Sequence, residues 1–233
     1  MKIFNSVVAA AGLALVSAGA NAALISVQGA TVSFSFDDSI AGYSISGDTL
    51  SFFPAGILAE QNASVGLDSS SFSIPLVNIY AKSGYALTGL AFKEQGDYLR
   101  IEDSANTTGV KVTGAFYVND DAQSISPSQP LSTALSPSEF FNPGAEASLW
   151  SAEYNVALNS VASVATRVDN TLFAGVFANG FNFASIRLGQ LAFSLNTVQL
   201  SGPPAEVPLP GAVWLFGSAL AGVLVSRRKN LVA

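Results

Sequence analysis

The 233-residue chain has no cysteine and no histidine. Those two gaps remove Ser-His-Asp and Cys-His triads, histidine-based zinc sites and thiol redox chemistry. Without disulfides, the fold has to be held by packing alone. Charge is sparse, at 11% of residues, and positive charge is the scarcer sign, with ten Lys and Arg against sixteen Asp and Glu. Four of the ten (Lys2, Arg227, Arg228 and Lys229) lie at the two ends, so residues 23–206 carry six basic against sixteen acidic residues, a net of −10. Such a surface repels phosphate backbones, which argues against nucleic-acid binding and suits an outward-facing protein or one that meets divalent cations. There is no Gly-x-x-x-x-Gly-Lys phosphate loop, no dinucleotide fingerprint and no Gly-x-Ser-x-Gly elbow. Helical periodicity is missing too, except in the two terminal segments.

Those segments are where the sequence is most explicit. Met1-Lys2 supplies a positive start, Val7 to Val16 is an apolar core too brief to span a bilayer, and Ala20-Asn21-Ala22 is a small-x-small cleavage pattern. Residues 1–22 therefore read as a signal peptide for the Sec machinery, with signal peptidase cutting between Ala22 and Ala23. At the other end stand Val207-Pro208-Leu209-Pro210, an apolar run from Gly211 to Val225 containing Trp214-Leu215-Phe216-Gly217, and Arg227-Arg228-Lys229. The proline pair forbids continuous helix across the entrance, the run is slightly short of the roughly 20 residues a spanning helix needs, and the cationic cluster sets a cytoplasmic end. Trp214 would sit at the outer interface, with the body outside the cytoplasm. These residues resemble the PEP-CTERM family of bacterial sorting tails, in a variant with Val-Pro-Leu-Pro in place of Val-Pro-Glu-Pro. The resemblance covers about the last tenth of the chain. It implies recognition and removal of the tail by a membrane-embedded exosortase, which would hand the body to the envelope or extracellular matrix. A permanent single-pass anchor is the alternative that hydropathy alone allows.

Between the ends, the chain reads as strands and turns. Val32, Phe34 and Phe36 alternate with Ser33 and Ser35, the period of a half-buried strand. Tyr43 to Ser46 and Thr49 to Phe53 flank Gly47-Asp48 as a hairpin. Residues 55–71 read as a loop with one turn of helix, and Pro75 places Phe72 to Tyr80 at an edge or splits it. Lys93-Glu94-Gln95-Gly96-Asp97 reads as a turn between two strands, and Glu94-x-Gly96-Asp97-Tyr98 resembles a turn found in a number of proteins with this sorting tail. Gly109 to Val118 alternates again. Residues 120–148, with Pro127, Pro130, Pro137 and Pro143, form a long excursion. Strands return at residues 149–158, 161–168, 172–177, 183–188 and 191–200, separated by Asn159-Ser160, Asp169-Asn170, Asn179-Gly180 and Gly189-Gln190. The expected fold is all-β, a single antiparallel β-sandwich or jelly-roll-like domain over residues 23–200, flanked by an N-terminal signal helix and a C-terminal transmembrane helix. Residues 201–206, with Pro203-Pro204, form a stiff tether and residues 207–233 the sorting tail.

Chemistry is left to carboxylates and aromatics. A glycosidase needs only two acids about 5 to 10 Å apart, and Glu94 with Asp97, or Glu102 with Asp103, are such candidates, although loop acids are more often solvated. No cofactor is expected unless calcium binds, for which the adjacent pairs Asp37-Asp38 and Asp120-Asp121 are the best oxygen donors. Phe140-Phe141 and Trp150 would either stack on sugars or pin the excursion to the sandwich. The expected role is a non-catalytic structural or adhesive surface protein meeting a polysaccharide or matrix partner; the alternative is a secreted carbohydrate-binding module or a carboxylate-based glycoside hydrolase.

Overall fold

The computed structural model describes residues 23–201, apart from 38, 41 and 63. The expected signal peptide, the residues after Ser201 in the expected tether, and the expected sorting tail lie outside the described residues, and so does Asp38.

Twelve strands follow in order: β1 (Leu24–Gln28), β2 (Val32–Asp37), β3 (Tyr43–Ser46), β4 (Thr49–Phe52), β5 (Leu58–Asn62), β6 (Gly66–Ala81), β7 (Tyr85–Ile101), β8 (Thr108–Val118), β9 (Asp121–Ile125), β10 (Ser148–Val161), β11 (Ser163–Val176) and β12 (Phe183–Gln199). One helical turn, α1 (Pro137–Phe140), interrupts the excursion, capped by Ser136 and Glu139. The strands form two sheets, β1-β2-β6-β11-β8-β9 and β10-β7-β12-β4-β3, with β5 also pairing β12. Every strand pairing is antiparallel, so the expected all-β class holds. The chain passes repeatedly between the sheets, and from β5 to β8 and from β9 to β12 it changes sheet at every connection.

The alternation read in β2 is realised, since Val32, Phe34 and Phe36 are completely buried. Their layer continues into a chain of rings. Phe36 meets Phe52 edge-on, Phe52 meets Phe193, and Phe193 lies within about 6 Å of both Phe92 and Phe116. Each buried phenyl contributes about 1.5–3 kcal/mol by area alone, which is how a domain without cross-links is held.

The sides of the sandwich are closed by polar staples. Asp48, in the β3–β4 turn, accepts from the Thr31 backbone N–H and hydroxyl at 2.7 and 2.5 Å, tying the β1–β2 turn to the other sheet. On the opposite side, Ser128 N–H donates to the Ser151 carbonyl, and the Tyr154 hydroxyl accepts from Ser126 N–H, which holds the start of the excursion against β10. Arg100 fastens its next stretch through the Leu131 carbonyl.

Several expected turns prove to be strand interiors. Residues 93–97 do not reverse: β7 is continuous for 17 residues, pairing β10 on one side and β12 on the other. Gly96 serves close approach instead of a turn. A Cβ there would come within 1.9 Å of the Arg187 carbonyl oxygen and 2.8 Å of the Trp150 indole nitrogen. Gly189 is likewise a bulge within β12, and Asn159-Ser160 falls at a register shift inside β10. Asp169-Asn170 lies mid-way along β11. The loop expected at 55–71 contains β5 and the start of β6, where Ser69, Ser70 and Ser71 pair with β11. Pro75 does not split β6. It falls at a register shift between β6 and β11, and β2 pairs β6 only from Asn78 onward, so the missing N–H interrupts neither ladder.

Candidate functional site

Register fixes the two ends of the sandwich. Phe183 pairs with Ile101 and Gln199 with Tyr85, so β7 and β12 run the full height, roughly 50 Å at 3.3 Å per residue. The described chain leaves at the Tyr85 end, where Leu200 N–H donates to the Gly84 carbonyl. The other end is built from the 177–183 connection, the start of β8, the start of β6 and α1.

At this far end, apolar rings face solvent. Phe141 is 70% exposed, Phe177 59% and Phe181 49%. Phe141 stands 5.4 Å from both Phe140 and Phe181, centroid to centroid. Phe140 and Phe181 border a recess of about 310 Å³ with Asn62, Leu99, Ile101, Asn182 and Phe183. Phe177 lies across two glycines: a Cβ on Gly175 or Gly109 would come within 2.8 or 3.0 Å of its ring. Beside it, Leu67, Val110, Lys111 and Phe173 line a second depression of about 340 Å³.

Buried polar groups fix the backbone that carries these rings. The Asn182 side-chain oxygen accepts from Asp103 N–H and from the Thr107 hydroxyl at 2.6 Å, while its amide nitrogen donates to the Ala178 carbonyl. Glu102 accepts from Asn106 N–H, from the Thr108 N–H and hydroxyl, and from Arg100. Burial alone would raise the Glu102 pKa, but the Thr108 hydrogen bonds and the Arg100 charge overcome it and hold the carboxyl below its ordinary value. Arrays of this kind position rings without the entropy of a mobile loop.

The acids singled out in the sequence do not converge. Asp37 closes β2 and accepts from Ser39 N–H at 2.7 Å, a bond that lowers its pKa. Asp120 occupies the β8–β9 turn beside Asn119, both at positive φ, and Asp121 begins β9. Three strand steps separate β2 from β8, about 14 Å, so Asp37 and the Asp120-Asp121 pair are not one site. Among the described residues, no group of three or more Asp or Glu is placed to hold a metal ion. Asp97 is engaged by Arg187 at 2.6 Å, and Glu94 is not on a turn at all: it is fully buried. Trp150 is also buried, within β10, and donates to the Arg187 carbonyl of β12, whereas Phe141 is not packed away.

No protein family, curated protein or solved structure matches the chain. Its chemistry therefore has to be read from its own residues. Phe177 reads in the sequence as the last core residue of its strand because it follows the buried Ala174 and Val176, and Phe181 lies in the Asn179-Gly180 reversal, where the sequence has no pattern that marks it as exposed. Among the described residues, no helix is long and apolar enough to cross a membrane.

Proposed function

We propose that this chain is an exported bacterial surface protein whose β-sandwich acts by contact and not by catalysis. Its C-terminal tail holds it in the inner membrane with the body outside the cytoplasm, until an exosortase reads residues 207–210 and passes the body to the envelope or matrix. The basic start and Ala-x-Ala pattern of residues 1–22, and the proline-marked apolar tail with its Arg-Arg-Lys end, support the itinerary. Both terminal segments would be helical in this reading.

The observation that carries the molecular role is the cluster of exposed phenylalanines at the end of the sandwich away from Leu200. The chain departs toward its tail at Leu200, and the exposed rings of Phe141, Phe177 and Phe181 sit roughly 50 Å away at the other end. A body tethered in this way presents the rings outward. Exposed aromatics offer apolar faces to the C–H faces of sugar rings, and the acidic surface disfavours anionic partners, so a neutral polysaccharide is the favoured partner. The same feature favours the carbohydrate-binding form of the alternative over a hydrolase.

The itinerary is tested by cell fractionation with intact-mass analysis of the wild type and a Pro208→Ala, Pro210→Ala double variant. The variant is expected to accumulate in the membrane fraction at higher mass. Identical mass and distribution for the two proteins would rule out recognition of the proline motif.

A further inference from the structure

Among the described residues, one carboxyl group lies in the core. Glu94 projects from β7 with no solvent exposure, and Asn170 projects from β11 in the facing sheet, 3% exposed. The Asn170 amide nitrogen donates to Glu94 Oε2 at 2.7 Å. Two buried oxygens are left over: Glu94 Oε1 and Asn170 Oδ1 have no hydrogen-bond partner among the described residues. Along the strands, Glu94 is flanked by Ala152 and Leu191, and Asn170 by Phe72 and Gly114, none of which offers a side-chain donor.

Nor does a cation answer the carboxyl. On the strands around it, Lys93 pairs with Glu153, Arg187 with Asp97, and Arg167 with Asp169, with the Arg167 guanidinium over the Tyr117 ring; all of these are exposed or partly so. Lys111 on β8 and Asp68 on β6 are also at the surface, the latter accepting from Glu60 N–H. Arg100, the buried cation of β7, is committed to Glu102. An ionised Glu94 would thus be an unpaired charge in an apolar core, with an orphan acceptor on each side chain.

One proton removes both defects. Carried on Oε1, it turns an acceptor into a donor and supplies Asn170 Oδ1 with the partner it lacks, closing an acid–amide ring of two reciprocal hydrogen bonds. We propose that Glu94 and Asn170 form a proton-dependent latch between the two sheets, in which the folded protein holds Glu94 neutral and loosens when the proton is withdrawn. Burial acts the same way on the acid itself, pushing its pKa up to about 8 against the lowering effect of the Asn170 hydrogen bond. Between the ordinary value of 4.5 and about 8, the folded state holds a proton that the unfolded state has lost. Stability is therefore fully present below that window, falls as pH rises through it, and levels off above it. A rise of about tenfold in the unfolding constant per pH unit is the expected slope.

The test compares equilibrium urea unfolding of the wild type and Glu94→Gln between pH 5 and 9. Glutamine supplies the same donor and acceptor without a titrating proton. The ratio of the two unfolding constants is expected to change about tenfold per pH unit up to about pH 8, with the substituted protein the less pH-sensitive. Carbon-13 NMR of the Glu94 Cδ in wild-type protein reads the proton directly and does not depend on the variant folding. A midpoint well above 6 supports the latch. A midpoint near 4.5, or parallel pH profiles for the two proteins, overturns it.

Discussion

Replacing Arg100 with methionine keeps most of the length of the apolar stem and removes the guanidinium, which makes it the sharpest probe of what holds the excursion to the sandwich. In the wild type, Arg100 Nε donates to the Thr108 hydroxyl at 3.2 Å, Nη1 to the Leu131 carbonyl at 3.1 Å, and Nη2 to the Thr108 carbonyl at 2.8 Å and Glu102 Oε1 at 2.6 Å. The Arg100 and Glu102 side chains are only 9% and 12% exposed, so water cannot readily replace what is lost. Breaking a pair of this kind from one side costs about 3–5 kcal/mol, because the remaining charge stays buried, whereas an exposed pair costs about 1 kcal/mol or less. Urea unfolding of Arg100→Met should therefore show a loss in the higher range. Limited proteolysis should show new cuts in residues 126–135, whose anchor at Leu131 is gone. Arg100→Lys, which keeps the charge but not the planar fork, should fall between the two proteins. The acid side of the stability profile should also weaken. Glu102 is held below its ordinary pKa, so its contribution is present above that value and is lost as pH falls through the folded one. A loss below about 1 kcal/mol for the methionine variant, with the excursion still protected, would refute the assignment of Arg100 as the clamp.

Two further outcomes follow from the same structure. Asp48→Ala removes the acceptor for the Thr31 N–H and hydroxyl and should cost about 2 kcal/mol in thermal or urea unfolding. Burial acts to raise the Asp48 pKa, but the bonds from Thr31, Val32 and Ala30 bring it below 3.8, so the wild-type advantage over this variant should be present above pH 3.8 and vanish as pH falls further. Phe141→Ser with Phe181→Ser should change stability by about 1 kcal/mol or less, since both rings are largely exposed, yet abolish retention on insoluble neutral glucans. Absence of retention for the wild type on such glucans would remove the polysaccharide reading of that end.

The sequence made the outer framework legible and concealed the middle. Val32, Phe34 and Phe36 announce β2 because a strand with one buried face must alternate, and the Gly47-Asp48 turn announces β3 and β4 because its chemistry is local. What could not be read was the length of β7, β11 and β12. Each carries polar or glycine residues at mid-strand, and polar residues there normally signal a return to solvent. Glu94 and Asn170 read as turn residues for that reason, yet the Asn170 amide donates to Glu94 across 76 residues of chain, a pairing that no local pattern contains. Gly96 misled in the same way, since its purpose is to admit the Arg187 carbonyl from a distant strand. Phe141 shows the converse error. An aromatic is usually buried when a core lies within reach, but α1 ends just before it and leaves its ring outside. The targeting segments proposed for the two termini are legible for a different reason: segments of that kind are read by machinery as linear sequence and need no tertiary partner.

The registration of β12 against β7 has a mechanical meaning. From Phe183 with Ile101 to Gln199 with Tyr85, the last strand is bonded to its neighbour along its whole length, and it also holds β5 and β4 on its other edge. Gln199 ends that strand, so tension applied along its axis at this end runs parallel to the ladder. Rungs loaded in that direction share the force simultaneously, where a pull across them would peel one at a time. A body gripped at its aromatic tip and drawn by its carboxyl-terminal side would resist as a rivet plate does, by the summed strength of many small fasteners.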